Sequence, residues 1–302
     1  MTGDPETFVQ VSGRPPAPSI GEVGEAVAHG QQSYDLRLDW GPTGGAAVAR
    51  GADIAVVVDV LSFTTTLGIA VARGSRVYPF PWKDDRAVAF AAARDAVLAV
   101  GRFEASGLAD PPPSLSSAQL LTSAPVERLV LPSPNGSTIC ASLAPWFRGS
   151  LRDASSLGST GQAPADGLAP QPAAAVIGAS LRNRRAVARW LTPRLADGAV
   201  VALVPAGERW PDGSLRPGLE DLWGAGAVLD ALDRTGLRVS PEAEHAATSY
   251  AAVAADLRAA LADCASGREL AAVGYAGDVE AAAEIDAEDV VPVLTDDGFV
   301  AG

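Results

Sequence analysis

The segment Ile54–Leu61 (IAVVVDVL) constrains the fold of this chain more than any other part of the sequence. It is an almost continuous run of β-branched and aliphatic residues, which is typical of a strand covered on both faces. Strands of this kind occur in parallel sheets that carry helices on both sides. The segment therefore predicts an α/β protein.

The pattern along the rest of the chain agrees with this prediction. Further strands are predicted at Asp35–Trp40, Arg76–Phe80, Arg128–Leu131, Ala173–Ile177 and Val200–Val204. Helices are predicted at Thr64–Arg73, Asp84–Val100, Arg184–Leu195, Glu220–Arg234 and Pro241–Ala262. This alternation predicts a three-layer α/β/α fold with a mainly parallel or mixed sheet.

Two segments lack a periodic apolar pattern. Residues 1–33 are rich in Pro and Gly and predict an irregular N-terminal extension. Residues 149–172 consist largely of Ser, Gly, Ala and Pro and predict a long loop, either on the surface or between two halves of the domain. We therefore expect the α/β domain to span residues 34–302.

The charge balance limits the classes of partner. The chain has 36 acidic and 23 basic residues, a net charge of −13, which repels nucleic acid and anionic membranes. No apolar run reaches the ~18 residues of a transmembrane helix, and no signal peptide is recognisable. With Cys140 and Cys264 as its only cysteines, the chain is expected to be cytoplasmic. The sequence leaves the oligomeric state open, with a homodimer as one option.

Several familiar chemistries are excluded by missing residues. The only lysine, Lys83, is followed by Asp84, so there is no phosphate-binding P-loop. Gly178–Arg182 lacks the second glycine of a nucleophile elbow. Only two histidines are present, which argues against zinc. Cys140 has no arginine six residues later and is expected to be a buried apolar residue.

The strongest candidate site follows the buried strand. Asp59 lies at its carboxyl end, and Thr64 and Thr65 follow at the start of a predicted helix. Ligands of α/β proteins bind at this kind of position, where a carboxylate can hold a hard cation and a helix start can hold an anion. The alternative is purely structural, with Thr64 as a helix cap that is bonded to Asp59.

Three further segments place polar residues at strand ends or helix starts. Ser133, Asn135, Gly136 and Ser137 form a turn before a helix, and Arg182, Asn183 and Arg185 begin the next one, where arginines suit phosphate, carboxylate or sulfonate. The adjacent pair Glu220 and Asp221 opens a later helix and suits Mg²⁺. Each set can also be explained without a ligand: the first as a turn, the arginines as a solvated helix face, and the acidic pair as partners of the helix dipole.

Together these segments resemble the 2-phosphosulfolactate phosphatase (ComB-like) family. The resemblance covers about residues 34–297, and its motifs are LRLDWGPTGG, DVLSFTTT, LPSPNGST, GASLRNRRAVA, GLEDLWGAGAVLDAL and GRELAAVGYAGDVEAAAEIDAEDVVPVL. It implies a three-layer α/β fold and Mg²⁺-dependent hydrolysis of 2-phosphosulfolactate to sulfolactate and phosphate, a step of coenzyme M biosynthesis. The functional residues carried over are Asp59, Thr64, Thr65, Asn135, Gly136, Ser137, Asn183, Glu220, Asp221 and, less directly, Asp278.

The chain departs from the family pattern at Ser62, where many members have an arginine. Three readings therefore stay open: this substrate, another small phosphorylated hydroxy acid, or a non-catalytic protein that binds an anionic metabolite. The catalytic and metal-binding candidates are Asp59, Glu220 and Asp221, and either direct attack by water or an aspartyl-phosphate is compatible with them. The parallel sheet is expected to gather Asp59, Thr64, Asn135, Asn183 and Glu220 in one cleft. Arg182 or Arg185 is expected at its rim, and Arg184 in solvent.

Overall fold

A computed structural model describes residues 28–81, 85–105, 112–144, 173 and 175–302 of the chain. The predicted extension at residues 1–33 therefore lies mostly outside the described residues, and the predicted loop at 149–172 lies outside them completely. Both stay predictions. Within the described ranges, no helix has the length and apolar character needed to cross a membrane.

Within these ranges the main sheet contains nine strands. In chain order they are β1 (Leu36–Leu38), β2 (Ile54–Val58), β3 (Arg76–Phe80), β4 (Val97–Leu98), β5 (Arg128–Pro132), β6 (Ala175–Ala179), β7 (Val201–Pro205), β10 (Pro292–Thr295) and β11 (Gly298–Ala301). A separate two-stranded hairpin is formed by β8 (Glu208–Arg209) and β9 (Leu215–Arg216).

The helices follow the strands in an alternating order. They are α1 (Gly41–Val48), α2 (Phe63–Ala72), α3 (Asp85–Ala92), α4 (Arg102–Ala105), α5 (Ser117–Thr122), α6 (Gly136–Leu143), α7 (Arg184–Ala196), α8 (Leu219–Ala231), α9 (Pro241–Val253), α10 (Leu257–Asp263), α11 (Ala265–Ala272) and α12 (Ala276–Ala282).

Strand β2 is buried at every position, as its sequence predicts. Its side chains alternate between two cores: Ile54, Val56 and Val58 belong to one, and Ala55 and Val57 to the other. Helices α7, α8 and α9 pack in the first core, whereas α2, α3 and α6 pack in the second. The three-layer α/β/α prediction is therefore confirmed.

The sheet consists of two parallel blocks that run in opposite directions. Its order is β1-β7-β2-β6-β10-β11-β3-β5-β4. The strands β1, β7, β2 and β6 are mutually parallel, as are β3, β5 and β4. The hairpin of β10 and β11 pairs antiparallel with β6 on one side and with β3 on the other. Since three antiparallel pairings separate the blocks, the second block is reversed and the sheet is mixed.

The sheet is strongly curved around helix α6. This helix contacts both β2 and β3, although three strands lie between them in the sheet. A flat sheet would hold β2 and β3 ~19 Å apart, at ~4.8 Å per strand, which is too far for one helix to touch both. Curvature therefore brings the two blocks together on this face.

Two helix predictions are wrong in extent. The helix expected over Asp84–Val100 ends at Ala92, because Asp95 adopts a positive φ of 50° and the chain then enters β4. The helix expected over Pro241–Ala262 is interrupted after Val253, and Asp256 leaves the helical region (φ −137°, ψ 42°) before α10 begins. Cys140 and Cys264 are free and buried, as expected for a chain without a disulfide framework.

A pair of glycine substitutions tests the packing of α8 on α9. A Cβ added at Gly226 would lie 2.1 Å from the backbone oxygen of Ala246, whereas one added at Gly68 in α2 would meet nothing within 4 Å. We expect Gly226→Ala to lower the free energy of unfolding by ~1–3 kcal/mol. The matched Gly68→Ala is expected to raise it by ~0.4–1 kcal/mol. Urea unfolding of both variants checks this, and equal effects would contradict the close approach of the two helices.

Candidate active site

Asp59 links the starts of two helices at the end of β2. Its Oδ1 accepts a hydrogen bond from the Phe63 N–H at 3.0 Å, and its Oδ2 accepts one from the Gly136 N–H at 2.9 Å. Phe63 is the first residue of α2 and Gly136 is the first residue of α6. The carboxylate is only 5% exposed and is held by donors from both blocks of the sheet.

Gly136 is required at its position by this close approach. A Cβ there would lie 2.4 Å from the Phe63 ring and 2.7 Å from Asp59 Oδ2. Any larger residue would push α6 away from Asp59. The Asn-Gly pair of the sequence is therefore explained by contact with the site as well as by the turn.

Asp221 and Glu220 lie at the start of α8 and face the same region. Asp221 Oδ1 accepts a hydrogen bond from the Val60 N–H at 2.7 Å, and Oδ2 accepts one from the Gly207 N–H at 2.8 Å. Asp221 thereby connects the turns that follow β2 and β7. Glu220 is 2% exposed, and its charge contributes to the raised pKa of the Cys264 thiol.

Glu208 completes this group and is absent from the sequence prediction. It lies in β8, and its Oε2 accepts a hydrogen bond from Asn135 Nδ2 at 2.9 Å. The sequence holds a signal for it: Glu208 follows the buried strand β7 shortly after its end, as Asp59 follows β2. We call Asp59, Glu208, Glu220 and Asp221 the carboxylate cluster.

A cleft of ≈ 300 Å³ opens beside the carboxylate cluster. Glu208 and Asn135 form part of its wall, and Trp40, Thr43, Arg209 and Leu215 form other parts. Asp59, Glu220 and Asp221 are buried behind them. A small ligand in this cleft would therefore reach Glu208 and Asn135 first.

The pKa values of the cluster reflect burial and mutual repulsion. Burial raises the pKa of Asp59, which the N–H groups of Phe63 and Gly136 partly oppose. Burial, together with the charges of Asp59 and Glu220, raises the pKa of Asp221 well above its usual range. Burial, followed by the charge of Asp59, raises the pKa of Glu208 to about 7. The cluster thus carries excess negative charge that an added cation would stabilise.

Two arginines oppose part of this charge, and neither was singled out from the sequence. Arg102 lowers the pKa of Asp59, and Arg216 lowers that of Glu208. Arg216 Nη2 also donates to Ser266 Oγ at 3.1 Å. Arg216 lies opposite Glu208 in the short β8–β9 hairpin, whereas Arg102 reaches Asp59 from a separate segment of the chain.

The hydroxyl groups predicted to bind substrate mainly hold the backbone turns. Thr64 Oγ1 donates to the Asp59 carbonyl and accepts from the Asp59 N–H, both at 2.8 Å. Thr65 Oγ1 donates to the Val60 carbonyl and Ser137 Oγ to the Leu131 carbonyl, each at 2.8 Å. Ser133 Oγ accepts from the Asn135 N–H at 3.2 Å. These side chains shape the loops that present Asp59 and Asn135.

Arg182 and Asn183 do not join the carboxylate cluster. Arg182 is 3% exposed, and its Nε and Nη2 both donate to Glu288 at 2.7 Å, while Nη1 binds Glu284 and the Ala281 carbonyl. Asn183 Oδ1 accepts from the Ser180 N–H at 2.8 Å, and its amide donates to the Gly178 and Val290 carbonyls. Arg182 therefore does not lie at the rim of a cleft.

The expectation that Arg184 faces solvent is wrong. The side chain of Arg184 is 11% exposed, because it pairs with Asp230 and Asp286 and donates to the Tyr250 hydroxyl. Arg185 is the exposed member of the set, with 65% of its side chain accessible and a contact with Asp286. Asp286 sits between the two arginines and draws Arg184 inward.

The pKa of Glu208 gives a pH dependence of stability. Folding raises the pKa of Glu208 from 4.5 to about 7, so the protonated side chain favours the folded state. The free energy of unfolding therefore decreases as the pH rises from 4.5 through 7. With a chelator present to remove metal ions, the free energy of unfolding of the wild-type protein should fall with rising pH. We expect Glu208→Gln to remove roughly 2–3 kcal/mol of this fall. Urea unfolding between pH 5 and ~8 measures it. The exposed Glu127→Gln serves as control, and an identical pH profile for both variants would contradict the assignment.

Comparison with known proteins agrees with the motifs. No curated protein matches the chain. The family model described as 2-phosphosulpholactate phosphatase matches residues 167–297, a range that contains Glu208, Glu220 and Asp221. This family consists of phosphatases, which are phosphoric monoester hydrolases. The family recognised from the motifs is thus supported over residues 167–297 of the chain.

Proposed function

We propose that this enzyme hydrolyses 2-phosphosulfolactate to sulfolactate and phosphate with the help of Mg²⁺. The observation that carries the proposal is the carboxylate cluster, whose members come from the ends of β2 and β7 and from the start of α8 and lie beside one cleft. Clusters of buried acidic groups with raised pKa values are typical of functional sites. The matched family supports the reaction class.

The donor chemistry of the cluster fits Mg²⁺. Carboxylate oxygens are its preferred protein ligands, and the mutual repulsion recorded in the raised pKa values would be relieved by a dication. In the part of the chain that the structure describes, no three His, Cys, Asp or Glu side chains form a ready metal site. Asp59, Glu220 and Asp221 are therefore not a preformed set of three direct ligands.

Mg²⁺ does not need such a set, because it commonly binds through one or two carboxylates together with water and substrate phosphate. Glu220 is the proposed direct contributor. Asp59 or Asp221 would join it through a lone pair that remains beyond the two backbone hydrogen bonds that each of these carboxylates accepts. Bound there, the ion would stabilise negative charge on the transferring phosphoryl group.

The chain's own residues would orient the substrate and handle the proton. Glu208 lines the cleft, and Asn135 fixes its Oε2 and so leaves Oε1 for a water molecule or the leaving oxygen. Because the pKa of Glu208 lies at about 7, both its acid and its base forms are populated at neutral pH. Glu208 is the proposed general acid or base.

A second candidate substrate is another small phosphorylated hydroxy acid. Ser62 replaces the arginine that many family members have at this position, and in this structure its hydroxyl is bonded to Arg102. The guanidinium beside this position is therefore that of Arg102, from a different segment of the chain. A change in the origin of the positive charge is compatible with an acid of different shape. A panel of phosphate monoesters assayed with Mg²⁺ separates the two candidates. A non-catalytic protein would bind these esters without turning them over.

Metal dependence is the first test of the proposal. Turnover is expected to require Mg²⁺ or Mn²⁺ and to disappear in excess EDTA after dialysis. The double variant Glu220→Gln with Asp221→Asn should abolish turnover or weaken its Mg²⁺ dependence, while circular dichroism shows an intact fold. Full activity in EDTA, or a normal double variant, would contradict the role of the carboxylates.

The second test concerns Asp59. We expect Asp59→Asn to lower kcat by about 100-fold or more, because the change removes the charge nearest to both helix starts and leaves one N–H without its carboxylate partner. Asp212→Asn, an exposed change of the same kind in the β8–β9 hairpin, is the control. Steady-state kinetics with saturating Mg²⁺ measure the effect, and comparable activity of the two variants would remove Asp59 from the chemistry.

A further inference from the structure

Arg102 is held near the carboxylate cluster with one edge of its guanidinium unused. Its Nε donates to Asp278 Oδ2 at 2.8 Å, and its Nη2 donates to the Leu115 carbonyl at 3.3 Å and to Ser62 Oγ. Among the described residues, Nη1 has no hydrogen-bond acceptor. The side chain keeps 16% of its surface exposed, and its guanidinium carbon lies 5.9 Å from the centre of the Tyr275 ring.

Asp278 is built to fix this arginine. Its side chain has no exposed surface, and its Oδ1 accepts from Ser116 Oγ at 2.5 Å and from the Ala118 N–H at 3.0 Å. Its Oδ2 is left for Arg102. A buried carboxylate with these partners sets the direction of the guanidinium, because its charge and its hydrogen bonds are both satisfied only in this arrangement.

The contrast with Arg182 indicates a role beyond packing. All three nitrogens of Arg182 are bonded to Glu284, Glu288 and a backbone carbonyl, which is the pattern of a structural ion pair. Arg102 instead presents a free edge, and it lies near enough to Asp59 to lower its pKa. Its partner Ser62 directly precedes α2, whose first N–H is bonded to Asp59.

We propose that Arg102 binds anionic oxygens of the substrate through Nη1, with Asp278 as its positioning residue. The proposal rests on the proposed phosphatase function, and it names the group that recognises the acidic substrate. The chemistry is that of a guanidinium with a phosphoryl, carboxylate or sulfonate oxygen. In a chain of net charge −13, a fixed arginine beside buried carboxylates provides the local positive potential that such an anion needs.

Steady-state kinetics with two substrates test this assignment. One is a phosphate monoester with a neighbouring carboxylate or sulfonate, and the other is a plain alkyl phosphate. The variants are Arg102→Gln, Arg102→Lys, Asp278→Asn and, as control, Arg76→Gln. Arg76 is a half-exposed arginine paired with Asp297, and it begins β3 at the end remote from Asn135.

Arg102→Gln is expected to raise KM roughly 10- to 100-fold relative to Arg76→Gln, since one charged hydrogen-bonding group is lost. A rise for the acid-bearing ester alone shows that Arg102 holds the acidic group, and a rise for both esters shows that it holds the phosphoryl group. Arg102→Lys should recover part of the affinity. Asp278→Asn should raise KM in the same substrate pattern, which a purely structural role would not do.

Calorimetry measures the affinity of each variant for inorganic phosphate and for sulfolactate. Because this measurement does not require turnover, it tests the role of Arg102 independently of the proposed function. If the wild-type protein turns over no ester, weaker anion binding by Arg102→Gln still supports the assignment. Unchanged KM and unchanged anion affinity in Arg102→Gln overturn it. If that variant fails to fold, unchanged values in both Arg102→Lys and Asp278→Asn overturn it.

Discussion

Two buried carboxylates hold together the loops on which the site depends. Asp59 accepts the first N–H groups of α2 and α6, and Asp221 accepts N–H groups from the turns after β2 and β7. Each carboxylate therefore accepts two backbone N–H groups that would otherwise be buried without a hydrogen-bond acceptor. The same bonds keep both carboxyl groups pointing at a common region, so the architecture of the turns and the position of the charges have a single cause.

Burying these carboxylates has an electrostatic cost that the closing of the turns does not require. Burial and mutual repulsion raise the pKa values of Asp59, Glu208 and Asp221, so the ionised cluster opposes folding. The start of α9, by contrast, is closed by a neutral hydroxyl, because Ser240 Oγ accepts a hydrogen bond from the Ala243 N–H. A group of costly charges kept beside a cleft is better explained by binding a cation and a phosphoryl group than by packing.

The path by which Asn135 reaches Asp59 differs from the one that the sequence suggested. A single parallel sheet would place both residues at one edge, but β5 runs opposite to β2 because the hairpin of β10 and β11 lies between the two blocks. The residues still meet, because the curved sheet lets α6 touch both β2 and β3. Asp59 and Asn135 are therefore neighbours, but the five side chains do not line one cleft as expected: Asn135 lines it, Asp59 is buried, and Asn183 is bonded to Ser180, Gly178 and Val290.

What the sequence by itself determined is local. The β-branched run Ile54–Leu61, the Asn-Gly turn and the acidic start of α8 each follow from short-range chemistry, and they sufficed for the fold class and for Asp59, Glu220 and Asp221 as candidates. Glu208 also follows the end of a buried strand, but it lacks the helix start with Thr64 and Thr65 that follows Asp59 in the sequence. The tertiary structure decided which charges meet. It paired Arg102 with Asp278 across 176 residues and withdrew Arg182 into a salt bridge with Glu288 across 106. Such partners are fixed by the direction in which packed elements approach, and no periodicity of the chain encodes that direction.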